Sequence, residues 1–319
     1  MLWLSVTAAL AAGAAFAVGS VLQQNAARQA PASVSLSWRL LVDLAKRRQW
    51  QIGITSDFGS FGLQAVALAF GPLALVQPLI VVTGLLVAVP LAVRWRGHRL
   101  GRQEWAGTIS VGVGLACFLA AASPSEGLPQ ATFDRWILIL IAVGGFMALG
   151  ILTGRAVRGP LRASAYGFAA GAAFGLLAAL TKASTHLLGQ GASVFFSSWQ
   201  PYAMAFVAVS GAIVQQSAFQ AGPLPASLPI MDAMEPTVAV LIGVFAFGET
   251  VSTSPSALVF EALGIALLVI GIVTLDRSPV VHELQTTDPR DGSQLANRMR
   301  SSFGKSGNRE ATVSSGNSS

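Results

Sequence analysis

The sequence predicts an all-α polytopic membrane protein with about nine transmembrane helices, arranged as an inverted repeat around a linker helix. Three observations predict it. Apolar residues arrive in blocks of about twenty, each long enough to cross a hydrocarbon core. Basic residues gather mainly in short loops between blocks and in the C-terminal stretch. Two stretches of the chain match each other without gaps.

Composition excludes the soluble alternative. Of 319 residues, 53% are apolar and 11% are charged, where a soluble domain carries roughly a quarter charged. The net charge of +6 follows the positive-inside pattern of loop charges and is no nucleic-acid signal. Cys117 is the single cysteine and lies inside an apolar block, which excludes a disulfide framework and a cysteine-based metal site.

Taken in order, spans are predicted at 2–24, 53–70, 72–95, 105–123, 136–153, 163–186, 198–220, 225–247 and 256–275. The first lacks a basic leader and belongs to the repeat, so it reads as a retained helix, not a signal peptide. Between spans one and two, 33–50 carries Leu36, Leu40, Leu41 and Leu44 at helical spacing beside Arg39, Asp43, Lys46, Arg47 and Arg48. It reads as an amphipathic helix on the membrane surface, since Arg39 and Asp43 argue against a short tenth span. The tryptophans at 38, 50, 95, 105, 136 and 199 mostly mark span ends. From 279 to 319 the chain is polar and reads as a disordered cytoplasmic tail.

The loops after spans one, three and five hold Arg28 with Lys46–Arg48, then Arg94, Arg96, Arg99 and Arg102, then Arg155, Arg158 and Arg162. All fall on one face if the N-terminus is outside and the tail inside. The composition suits a bacterial inner (plasma) membrane.

The repeat is carried by Gln64, Gly71-Pro72-Leu73, Pro78 and Gly97, which recur 151 positions on as Gln215, Gly222-Pro223-Leu224, Pro229 and Gly248. Ala-Ala-Gly-Ala-Ala-Phe at 11–16 recurs at 169–174, 158 positions on. The domains expected are a first unit over 1–123, a linker with span five over 124–160, and a second unit over 161–278. An odd linker between two four-span units turns the second upside down. That symmetry is usual in alternating-access carriers, whose site lies near the midplane.

Ionisable groups inside a bilayer cost about 2.5–3.5 kcal/mol each at the centre, and are functional candidates for that reason. Asp232 and Glu235 in span eight are three apart, hence on one face. They are expected to bind substrate or ion, a metal cation included. The alternative is protonated, hydrogen-bonded structural groups. Pro229 and Pro236 flank them, and with Pro78 are expected to give broken-helix geometry lining a cavity. Gln64, Gln215, Gln216 and Gln77 offer amides that suit either a solute or a neighbouring helix. Asp57 reads as interfacial near the inner end of span two, and Lys182 as a snorkelling residue near the outer end of span six. Both stay among the candidates.

The repeated unit resembles the drug/metabolite transporter superfamily, whose EamA-type repeats carry a proline-containing helix, a Gly-Glu turn and a glycine-rich closing helix. Here these are Pro229, Gly248-Glu249, and Gly264 with Gly271. Phe-Gly-Pro-Leu-Ala-Leu-Val-Gln-Pro-Leu at 70–79, with Lys182, is similar to the NIPA-type magnesium transporters. The first unit departs from the pattern, reading Gly97-His98. The resemblance implies a secondary carrier with Mg2+ or another cation as substrate. An organic metabolite or drug is the alternative.

No phosphate-binding Gly-x4-Gly-Lys-Ser/Thr loop and no hydrolytic motif is present, so no enzyme and no ATP-driven pump is expected. No cofactor is called for beyond a coupling proton or cation. The partners expected are a small-molecule or cation substrate and membrane lipid, with no nucleic acid. A homodimer is compatible with the sequence. A reading from another class is a non-transporting scaffold that binds lipid or a partner protein through the basic segment.

Overall fold

The computed structural model describes residues 2–70, 73–95, 97, 100–122, 130–248 and 254–279. Eleven α-helices run through them: α1 Leu2–Arg28, α2 Trp38–Ala45, α3 Arg48–Phe70, α4 Leu73–Trp95, α5 Arg102–Ala122, α6 Phe133–Ala156, α7 Pro160–Gln190, α8 Ala192–Ser197, α9 Gln200–Ala221, α10 Leu224–Phe247 and α11 Pro255–Asp276. No strand occurs among the described residues. The tail predicted at 279–319 lies outside them apart from its first residue.

Six helices, α1, α6, α7, α9, α10 and α11, are long and apolar enough to cross a membrane. α3, α4 and α5, of 23, 23 and 21 residues, stand where three further spans are predicted. The protein is a polytopic helical membrane protein. α7 is the most enclosed of the six, while α6 and α11 are the least and present rows such as Leu138, Ile141, Leu149 and Val259, Leu263, Ile270 outward. That distribution suits lipid-facing helices, for which apolar exposure carries no hydration cost.

α1 packs on α3 and α4, α7 packs on α9 and α10, and α5 packs on α11. Small residues set these crossings, as expected where van der Waals contact between helices replaces hydrophobic burial. Gly167, Gly171 and Gly175 stand four apart on α7. A Cβ on each would lie 2.5–2.7 Å from the carbonyl oxygens of Ser227, Met231 and Glu235 on α10. The glycine ladder therefore fixes the register of α10. A Cβ on Gly171 meets the Met231 oxygen, the Met234 Cβ and the Glu235 nitrogen; one on Gly13 of α1 meets the Ile80 oxygen, the Thr83 Cβ and the Gly84 nitrogen. Gly13 and Gly171 are 158 positions apart, and the three neighbours in each set are 151 apart. Between α5 and α11 the contact is reciprocal. Gly114 abuts the Gly264 carbonyl oxygen and Gly264 abuts that of Gly114.

Several expectations need correction. The amphipathic segment is one eight-residue helix, α2, capped by the Ser37 hydroxyl, which accepts the Arg39 amide. Leu40 and Leu44 are fully buried in the protein core, and α2 contacts α9 and α3, so this apolar face is spent on protein and not on lipid. Trp136 is also fully enclosed, with Trp199 and Phe247 edge-on to it at 5.5 and 5.8 Å. It is a core residue, whereas Trp38, Trp95 and Trp105 are exposed as belt residues are. α10 continues unbroken through Pro229 and Pro236. α7 packed along it holds the helix together despite two missing amide donors.

Candidate functional site

Helices α1, α3, α4, α7 and α10 enclose a cavity of about 370 Å³. Asp57, Ser60 and Gln64 line it from α3, and Asp232, Glu235 and Pro236 from α10. Phe16, Phe61, Ile80 and Val81 supply most of the apolar wall. Among the described residues the lining thus holds three carboxyl groups, an amide and a hydroxyl, and no basic side chain.

Both α10 acids line the cavity because positions three apart share a helix face, while the glycine ladder seats the backbone of Ser227, Met231 and Glu235 against α7. Glu235 is exposed to the cavity and Asp232 is half-buried. Pro236 has no N–H to give the Asp232 carbonyl, so that residue offers a backbone acceptor as well as a carboxylate.

Asp57 lines the cavity from within α3. α3 begins at Arg48, five residues before the predicted span, and Asp57 sits in its third turn. One carboxylate oxygen accepts the Gln23 side-chain amide at 2.6 Å. The other is buried with no hydrogen-bond partner. The Gln23 carbonyl oxygen in turn accepts the Gln216 amide from α9 at 2.8 Å. Gln23 and Gln216 are both almost completely buried. Gln216 therefore acts one residue removed from the cavity, through Gln23.

Other candidates fall elsewhere. Gln215, the repeat mate of Gln64, is half-buried and is not among the residues lining the cavity. Lys182 lies over the Phe247 ring, 4.7 Å from its centroid. It lines a neighbouring space of about 220 Å³ that shares Ala178 and Ala239 with the cavity. Pro229 is buried against α7. Gln77 and Pro78 belong to α4, but their side chains lie outside the described residues, as do Glu249 and His98. No three His, Cys, Asp or Glu among the described residues come together as a metal-holding set. Asp232 and Glu235 stand as a pair of acids.

Sequence reasoning missed Gln23. Its signal was the pair Gln23-Gln24 inside an apolar helix, which the predicted span placed at its very end. α1 continues four residues further, to Arg28.

An uncharacterized protein of Corynebacterium glutamicum is 35% identical over 275 residues, covering 85% of this chain and 93% of that protein. The chain belongs to the same family. A probable magnesium transporter of Arabidopsis thaliana, NIPA9, is 24% identical over 284 residues, covering 86% of this chain and 82% of its own length. No protein-family model matches the chain, and no solved structure matches it. This family of helical membrane proteins thus has a distant relative among transporters.

Proposed function

We propose that the protein is a secondary carrier that moves a cation, with Mg2+ as the leading substrate, through the cavity between α3 and α10. The observation that carries this reading is that Asp57, Asp232 and Glu235 line one apolar-walled space, with no basic side chain among the described residues of its lining. The NIPA9 relative supports the choice of cation. Mg2+ is a hard cation that keeps several waters and takes one or two carboxylates. The α10 pair with the Asp232 carbonyl suits such a hydrated ion, and a space of 370 Å³ leaves room for its water.

The carrier works by alternating access of two inverted units, α1–α5 and α7–α11, with α6 as linker and nine spans in all. The matched environments of Gly13 and Gly171, and the reciprocal contact of Gly114 with Gly264, support that symmetry. The N-terminus lies outside and the Arg28–Arg48 face inside a plasma membrane. A gradient of the cation or of protons supplies the driving force, without ATP or a bound cofactor.

The test is Mg2+ flux into proteoliposomes, with Asp232→Asn/Glu235→Gln beside the parent. Flux that the folded double variant loses at least tenfold supports the reading. A well-folded parent that moves no Mg2+ in either orientation, with or without an imposed proton gradient, removes magnesium. Phe16 and Phe61 in the wall favour one second reading, a small organic cation held over aromatic faces.

A further inference from the structure

The C-terminal end of α1 and the strand of chain leading to α2 are joined to the C-terminal end of α9 by a row of side-chain bonds. The Gln216 amide donates to the Gln23 side chain at 2.8 Å, and the Gln24 amide to the Gly222 carbonyl at 2.9 Å. Gln220 donates to the Ala30 and Pro31 carbonyls at 3.1 and 2.9 Å. The Ser217 hydroxyl accepts the Leu36 amide at 2.9 Å. Leu36 is the described non-glycine residue with a left-handed backbone, φ 55. Such a conformation is strained and persists where the surroundings hold it. α1 and α9 belong to different repeat units, so every bond in the row crosses between them.

This seam differs from ordinary helix packing in lipid. It is built from amides and a hydroxyl directed at side chains, backbone carbonyls and one amide, which rearrange without opening a void. Its innermost bond continues into the cavity, because Gln23 spends its carbonyl on Gln216 and its amide on Asp57. An amide has one donor end and one acceptor end. Asp57, which as a carboxylate only accepts, takes the amide end of Gln23, and Gln216 takes the carbonyl end. If the two units part here, Gln23 loses its α9 partner and becomes free to turn away from Asp57, which then loses its side-chain donor.

We propose that this α1–α9 seam is the gate on the Arg47 face of the carrier, and that Gln23 and Gln216 are positioning residues linking gate closure to Asp57. The proposal rests on the alternating-access reading. It adds to it the location of one gate and the bonds by which closing that gate completes the site.

Two measurements test it. The first is independent of the substrate. Cys117→Ala removes the single cysteine, and Ala239→Cys places a reporter on the cavity wall. A membrane-impermeant thiol reagent is then applied to either face of the vesicle. Gln216→Met and Gln24→Met are each expected to raise labelling from the Arg47 face several-fold. Labelling at the parent rate in both, with monodisperse protein, overturns the gate.

The second separates positioning from structure. Gln23→Met is expected to raise the KM for Mg2+ about tenfold, the scale of one hydrogen bond to a charged group, with the maximal rate nearly kept. Gln24→Met, which touches the gate and not Asp57, is expected to change the maximal rate with KM unchanged. Equal KM in Gln23→Met and parent overturns the link to Asp57. If the parent moves no Mg2+, the cation reading fails, and the labelling experiment still decides the gate.

Discussion

At Asp57, one carboxylate oxygen is held by Gln23 while the other is buried and unpartnered. An unsatisfied buried acceptor costs about 1–3 kcal/mol, and the fold carries that cost in this state. Asp57→Asn is expected to melt higher than the parent by about 1–2 kcal/mol of stability, while transporting its cation several-fold more slowly. Thermal unfolding in detergent and proteoliposome flux check both halves. A variant that is both less stable and fully active would remove Asp57 from the site. That Asp232 and Glu235 share one helix face was legible in the sequence because they stand three apart in an apolar block. The depth of Asp57 was not. Arg48, Gln49 and Gln51 lower the apparent hydropathy of that stretch, yet the helix is already wound there, with the Gln51 amide bonded to the Arg47 carbonyl.

At the scale of elements, α10 carries the acids and α7 decides where α10 sits. Gly171→Leu would drive a side chain into the Met231 carbonyl and the Glu235 nitrogen. Overpacking of this kind costs about 1–3 kcal/mol. The displacement acts on the segment that bears Glu235, so transport is expected to fall further than stability does. Trp136→Ala provides the contrast. It empties an aromatic cluster with Trp199 and Phe247, away from the carboxylates, and is expected to cost about 3–5 kcal/mol while the surviving folded protein keeps its KM. The existence of these helices was legible from hydropathy. The short length and inward face of α2 were not, because spacing identifies an apolar stripe without saying whether lipid or α9 will cover it.

For the whole molecule, the gapless recurrence of Gln, Gly-Pro-Leu and Pro marked two stretches 151 positions apart in the sequence, and the cavity lies between helices drawn from both sides of α6. What the sequence left out is the set of residues that act across units. Gln23 and Gln216 are 193 positions apart, and no local pattern links them. The reciprocal Gly114–Gly264 contact carries one more implication. Each glycine meets the other's carbonyl as equivalent residues do at the two-fold axis of a homodimer. On the inverted-repeat reading, this contact ties the two halves together through α5 and α11 without the linker helix. Cutting the chain between α5 and α6 and co-expressing the two pieces should therefore return a stable, co-purifying complex, because the pairing surface does not depend on the covalent connection.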